Sequence, residues 1–502
     1  MNSPIAGICE LGEGCGEPRR KGGYHSTVKK QLASLLLCAL LLPRAFADGL
    51  PDLGDVGSAE LSPQAERRIG EQAMGEIRWR EAAYLDDVEV EGYLNSLGQR
   101  LVAAAPASGV DFSFFAVSDP TLNAFALPGG FIGVHTGLVL AASTESELAS
   151  VLGHEIAHVT QRHIARMIGN QGRTGMVMLA SMIVAILAAG SSPDAAEAAI
   201  ATGQATAMQS QLAYTRDFER EADRNGLMTL QAAGFDVRGM PAFFERLQRN
   251  SRLYENNAPA YLRTHPLTTD RITDMENRVQ GLGYRQVPDS LEFRLVQAKL
   301  LALQGSAAEA VRGLEARLKG KPDDPVLRYG LTRALLRMGQ LEQARASMTL
   351  LARNPPASAM VEALEAELLA AGGDHAAAAA HYRDAIKRYP LSRPLAYGLA
   401  DELIAAGRPA EAADMLRKDI VSAPDDYRRW GLLAKAELAR GSRAGRHRAQ
   451  AEVYRLQGSL PAAVEQLELA QRAGDADFYT MSAIDARLRE LRTRLRQERE
   501  AR

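Results

Sequence analysis

Cysteine is scarce and poorly placed for a structural role. The 502-residue chain holds three, Cys9, Cys15 and Cys38. All precede Asp48, so disulfide frameworks and thiol chemistry are excluded for the remaining sequence. Net charge is nearly absent as well, at −2, which offers no global attraction for nucleic acid or an anionic membrane. A polyanion partner would have to be met by a local patch. Long apolar runs are also missing downstream of the N-terminal region. Met176 to Ala189, broken only by Ser181, is the most apolar stretch there, and roughly 14 residues fall short of the ~20 a membrane span requires. With 46% hydrophobic and 24% charged residues, the chain has the composition of a folded soluble protein, and its length implies more than one domain.

The N-terminus carries the three parts of an export signal: Lys29-Lys30, an apolar run from Leu32 to Leu42, and Ala45-Phe46-Ala47 before Asp48. The residues ahead of it are foreign to such signals, and Val28 stands where one usually begins, which suggests a start at that codon. Cys38 follows three leucines rather than small residues, which argues against a lipid anchor. The expectation is a soluble, exported product.

Apolar spacing predicts helices over about Ala59–Trp79 and Val88–Ala105, and Asp111–Val117 reads as a strand. Asn123 to Val134 forms two short apolar runs hinged at Pro128-Gly129-Gly130, a hairpin signal in which Pro128 confines its strand to an edge or its end. Thr144 and Glu147 offer a capping box for a following helix. Met176–Ala189 and the Ala/Gly/Ser/Thr-rich residues 190–210 are read as a lid region, against a plain core helix.

Beyond Pro288 the character changes. Gly305, Gly339, Gly373, Gly407 and Gly441 recur every 34 residues, as do Pro322, Pro356, Pro390 and Pro424. Ala310, Ala344, Ala378 and Ala412, and Leu314, Met348, Tyr382 and Leu416, keep the same phase. A 34-residue period with glycine at the inter-helix turn and small residues in the next helix is the tetratricopeptide pattern. Each helix pair must stack on its neighbour to bury its apolar face. The register fades after Gly441, and Met481, Ile484, Leu488, Leu491 and Leu495 make a one-sided stripe expected to form a capping helix.

The chemistry centres on Gly153-His154-Glu155-Ile156-Ala157-His158-Val159. On a helix, His154 and His158 lie about 40° apart in azimuth and about 6 Å apart along the axis, so one ion can meet both rings. Glu155 points off that pair, yet close enough to take a proton from an activated water. A five-residue H-E-x-x-H arises by chance in on the order of one chain in a hundred, so a third ligand is required. Phe218-Glu219-Arg220-Glu221-Ala222-Asp223 supplies candidates: Glu219 with Asp223 on one face, Asp217 with Glu221 on another. Spacing does not choose between them. His163, five residues beyond His158, is expected to face elsewhere, into solvent.

"GHEIAHVTQRH", "FEREADRNG" and Thr264-His265-Pro266 with Arg271 together resemble the HtpX and CAAX-prenyl-protease family of zinc peptidases. Within it they are similar to the periplasmic, BepA-like group that appends tetratricopeptide repeats. The resemblance implies a mainly α fold with a small β-sheet: a gluzincin-type metalloprotease domain followed by an all-α repeat solenoid. It divides the chain into a signal peptide (1–47), a zinc metallopeptidase domain (48–280), a linker (281–288) and a tetratricopeptide-repeat domain with its capping helix (289–502). It implies one Zn2+ on His154, His158 and Glu219, with Glu155 as general base and acid. Asp223 and Arg271 stand behind the ligands. His265 either occupies the water position at rest or stabilises the oxyanion. Asn123, Ala124, Phe125 and Ala126 match an edge strand that receives an extended peptide.

The implied activity is hydrolysis of misfolded or stalled envelope proteins, with the repeats recruiting substrates or the outer-membrane β-barrel assembly machinery. The rival reading is a chaperone or scaffold with a latent, histidine-plugged site. A membrane-embedded prenyl-peptide protease is disfavoured by the missing span.

Overall fold

In a computed structural model of the chain, the described residues are 61–80, 83–107, 109–171, 216–253, 260–283 and 285–500. The export signal, the Met176–Ala189 run and the 190–210 stretch lie outside them. The described residues up to Arg492 fall in one compact unit. No described helix is long and apolar enough to cross a membrane.

Two helices, α1 (Pro63–Arg80) and α2 (Val88–Val102), precede a three-stranded sheet of β1 (Ser113–Val117), β2 (Ala124–Leu127) and β3 (Phe131–His135). The order is β1-β3-β2, parallel between β1 and β3 and antiparallel between β2 and β3. The expected hairpin is the β2–β3 pair, with Phe125 opposite Gly133. Gly129 and Gly130 turn it with φ of 75° and 90°, values a side chain would strain. β2 occupies an edge of the sheet, and Pro128 falls just past its end.

After α3 (Thr136–Ala141) comes α4 (Glu145–Thr160), which carries the first motif. Leu148, Leu152 and Ile156 are fully buried, because α4 is packed among β2, α2, α6 (Arg216–Ala232) and α7 (Gly239–Leu253). A helix enclosed on all sides must be apolar all round, so its few buried polar groups need partners. Thr144 caps α4 by accepting from the Glu147 N–H. The reciprocal half of the expected box is absent: Glu147 accepts from the Ser143 N–H at 2.8 Å instead and is gripped by Arg246 of α7 at 3.1 Å.

The close approach of α4 to α6 depends on two glycines. A Cβ on Gly226 would stand 3.0 Å from the His154 nitrogen and 3.1 Å from the Gly153 carbonyl carbon. One on Gly153 would stand 3.2 Å from the Gly226 oxygen. Backbone against backbone leaves no room for a methyl group, and this contact sets the distance between the two motif helices. α5 (His163–Gln171), α8 (Ala260–Thr264) and α9 (Thr269–Gln280) complete the region that precedes the repeats.

The repeats begin with α10 (Leu291–Leu303) and α11 (Ala307–Gly320), then α12 (Pro325–Arg337) and α13 (Leu341–Leu351), α14 (Ala359–Ala371) and α15 (His375–Arg388), α16 (Arg393–Ala405) and α17 (Pro409–Ser422). They continue through α18 (Tyr427–Ala439), α19 (Arg443–Leu456) and α20 (Leu460–Arg472) to the last helix, α21 (Phe478–Glu500). The periodic glycines take the left-handed conformation at the helix ends. Ile484, Leu488 and Leu491 of α21 are buried, as the stripe predicted.

The N-terminal region and the repeats share one apolar core that runs from Val90 to Leu368. A polar clamp reinforces it. Lys299 of α10, almost fully buried, lies 2.6 Å from Asp87 and 2.5 Å from Glu89 at the start of α2. Arg333 of α12 reaches Glu89 at 3.5 Å and Glu367 of α14 at 3.1 Å. Arg428 of α18 binds Glu91 at 2.7 Å and also holds Asp86. Arg333 and Glu367 are 34 positions apart, so this pair links equivalent positions of successive repeats.

Candidate active site

α4, α6 and α8 bring four side chains to one point. His154, His158, Glu219 and His265 are all buried, and each offers a ligand atom within 4.8 Å of the others. His154 Nε2 lies 3.0 Å from His158 Nε2 and 3.4 Å from His265 Nδ1. Glu219 Oε1 lies 3.0 Å from His265 Nδ1 and 3.4 Å from His158 Nε2, and Oε2 lies 3.6 Å from His154 Nε2. Four donors at 2.0–2.1 Å from a tetrahedral ion would stand ~3.3 Å apart. The four donors therefore fit a small, tetrahedrally coordinated metal ion.

The surrounding groups hold these rings in place. Asp223, one turn beyond Glu219 on α6, places its Oδ1 3.0 Å from His154 Nδ1. Arg271 of α9 grips Asp223 with two bonds of 2.7 and 2.8 Å, and its other arm reaches Glu219 Oε2 at 2.8 Å and the Pro266 carbonyl at 2.8 Å. It thus ties the acidic motif to the segment that bears His265. Spacing had left Glu219 and Glu221 equivalent; the fold separates them. Glu219 is buried in the cluster, whereas Glu221 lies across the helix against Arg166 at 2.9 Å.

Burial pulls the His154 imidazole down, but Asp223 and Glu219 outweigh it and raise its pKa to about 9. His158 is driven well below the ordinary histidine value by burial and by the His154 charge. Burial opposes ionisation of Glu219, yet His265, His154 and His158 hold its carboxyl well below the usual range. Glu155 is pushed upward, chiefly by burial, with His265 and His154 pulling back. Its carboxylate is fully buried, with the Tyr261 side chain as a hydrogen-bonding neighbour and His265 Nε2 3.5 Å from Oε1. A buried proton acceptor beside a ligand set is the arrangement a general base needs.

Two residues here escaped the sequence reading. Tyr261, four residues before His265 on α8, stacks on its ring with centroids 4.6 Å apart and 29° between planes. The i, i+4 spacing was the available signal. His163 is a correction: it is fully buried, with Nδ1 2.9 Å from His158 Nδ1, and not solvated. Continuous-helix geometry misplaced it because α4 ends before it. Asn123, Ala124, Phe125 and Ala126 lie at and along β2, beside α4, and Asn123 Oδ1 is buried with no hydrogen-bond partner.

Comparison with known proteins agrees with this geometry. Residues 89–279 match the peptidase family M48 model, and residues 285–368 and 369–436 match the tetratricopeptide repeat model. The chain is 32% identical to the beta-barrel assembly-enhancing protease of Escherichia coli (strain K12) over 474 residues, covering 93% of this chain and 97% of that one. It is 34% identical to a putative beta-barrel assembly-enhancing protease of Vibrio cholerae, over 92% of this chain and 96% of that one. The mitochondrial metalloendopeptidase OMA1 of Arabidopsis thaliana is 31% identical over 39% of this chain and 38% of its own. The chain is therefore a metalloendopeptidase that belongs to peptidase family M48, among the members that join the peptidase domain to tetratricopeptide repeats.

Proposed function

We propose that His154, His158 and Glu219 hold one zinc ion, that Glu155 is the general base and acid, and that the enzyme cleaves misfolded or stalled envelope polypeptides in the periplasm. The observation that carries this reading is the buried cluster of four donor side chains with the buried carboxylate of Glu155 beside it. Bound zinc would supply the Lewis acidity that makes water a nucleophile near neutral pH and polarises the scissile carbonyl. The protein's own part is proton handling and positioning. Asp223 keeps the proton of His154 on Nδ1, leaving Nε2 as the donor. Glu155 accepts the proton of the attacking water and returns it to the departing amine. The edge of β2, at Asn123, Ala124, Phe125 and Ala126, would receive the substrate as an added strand.

His265 supports a second element of the proposal. It is the fourth donor of the set and stands between the cluster and Glu155, which suits a resting form in which the water position is filled. The rival reading, a chaperone or scaffold with a latent site, draws on the same contact. The relatives' names link them to β-barrel assembly. By that analogy the repeats would recruit unfolded outer-membrane polypeptides or their assembly machinery.

Glu155→Gln tests the assignment. It should bind zinc stoichiometrically and lose cleavage of an unfolded substrate by at least a hundredfold, as expected for loss of a general base worth ~10²–10⁴. Wild-type cleavage by this variant would refute it.

A further inference from the structure

The histidine ligands, on the reading above, receive unequal support: His154 leans on the carboxylate of Asp223, while His158 leans on another imidazole. We infer that His163 is the positioning residue of His158, delivered to it by a strained turn at Arg162. The inference rests on the proposed ligand set and extends it to a residue outside the motif.

The argument begins with the backbone. On an uninterrupted helix, residues five apart face about 140° away from each other, so His163 could not reach His158. α4 stops at Thr160 and α5 starts at His163. Between them Arg162 adopts φ of 54°, the left-handed region, and is alone among the described non-glycine residues in doing so. A side chain there is strained, and such strain persists only where surroundings enforce it. They do so here: Arg162 binds Glu66 of α1 at 2.8 Å and also donates to the Leu61 carbonyl. The turn rotates His163 back under His158, where it is fully buried and stacked on Phe218, centroids 4.6 Å apart and planes 8° apart.

The hydrogen-bond sequence then fixes a tautomer. For His158 Nε2 to face the cluster with its lone pair, the ring proton must sit on Nδ1. That atom is 2.9 Å from His163 Nδ1, which accepts. The His163 proton is thereby placed on Nε2, 3.3 Å from Glu221 Oε2, and Glu221 is held by Arg166 at 2.9 Å. Each ligand histidine thus has its own orienting chain: Asp223 and Arg271 behind His154, His163, Glu221 and Arg166 behind His158. Groups of this kind set ring orientation, and their loss typically weakens metal binding 10–100-fold.

The test uses the full chain and measures Zn2+ affinity by chelator competition, together with the absorption spectrum of the Co2+-loaded protein. His163→Phe keeps the stack on Phe218 but removes the acceptor. It should weaken Zn2+ binding 10–100-fold and alter the Co2+ bands, with the metal-free melting temperature unchanged. His163→Gln, which restores an acceptor, should recover most of the affinity. Glu221→Gln, at a partly exposed position, should weaken binding by a few-fold and serves if His163→Phe does not fold. Wild-type affinity in both His163→Phe and Glu221→Gln would overturn the inference, as would a fall in melting temperature without a change in affinity. His158→Ala separates the two layers: if it binds Zn2+ as wild type does, the ligand assignment itself fails. If it loses Zn2+ while His163→Phe does not, only the role of His163 fails.

Discussion

Replacing Lys299 by Met tests how the repeats and the peptidase region are held together. Methionine keeps the length and apolar stem of lysine but deletes its charge. Lys299 is 5% exposed and contacts Asp87 at 2.6 Å and Glu89 at 2.5 Å. Asp87 would retain its capping bonds from the Glu89 and Val90 N–H groups, both 3.0 Å. Glu89 would keep only Arg333, 3.5 Å away, and its Oε1 already lacks a hydrogen-bond partner. Removing one partner of a buried pair leaves an uncompensated charge and costs about 3–5 kcal/mol. The residual bonds to Asp87 and Arg333 place the expectation near the lower end, about 3 kcal/mol. Urea unfolding followed by circular dichroism would show this as a lower midpoint of the first transition. Glu89→Gln added to Lys299→Met should recover at least half of the loss, because the stranded charge is gone. Lys435 occupies the equivalent position later in the repeats and pairs with Asp401 at 3.1 Å, but both are exposed. Lys435→Met should therefore change stability by no more than about 0.5 kcal/mol. A loss below about 1 kcal/mol for Lys299→Met would refute the claim that this clamp is an uncompensable buried pair.

Other perturbations probe the site and the clamp. His265→Ala should raise cleavage of an unfolded substrate above wild type while Zn2+ remains bound; equal or lower activity would remove His265 from the role of plug. Gly226→Ala inserts a methyl group 3.0 Å from the His154 nitrogen; it should cost about 1–3 kcal/mol in thermal unfolding and weaken Zn2+ binding, as the motif helices are pushed apart. The stability difference between wild type and Asp87→Asn should depend on pH. Burial opposes ionisation of Asp87, but Lys299 and the α2 N–H groups bring its carboxyl below the ordinary value of 3.8. A lowered folded-state pKa means the stabilisation is complete above 3.8 and fades as pH falls below it. Urea midpoints for both proteins between about pH 2.5 and 7 would show the difference shrinking only at the acid end, and a constant difference would contradict the assignment.

Much of this protein is legible without coordinates, for identifiable reasons. The repeats announce themselves because each buries the same small and apolar residues against its neighbour, so the 34-residue period is written directly in Gly305 through Gly441. The β2–β3 hairpin is readable from the residues at its turn, where Gly129 and Gly130 meet a backbone requirement local to the chain. His154 and His158 can be paired by counting, since one helical turn relates them. Half of the α4 cap was misread because Glu147 had a competing partner, Arg246, from a distant helix.

The tertiary structure decided whatever depended on two segments meeting. Glu219 and Glu221 are equivalent by composition, and only the approach of α6 to α4 through Gly153 and Gly226 turns one inward and the other toward Arg166. His163 looked remote because helical counting assumes an unbroken helix, and a single left-handed residue at Arg162 reverses its direction. Lys299 and Asp87 are 212 residues apart, and no periodicity relates them. Local rules act over one turn or one repeat, whereas burial and charge pairing are properties of surfaces that exist only after the chain has packed.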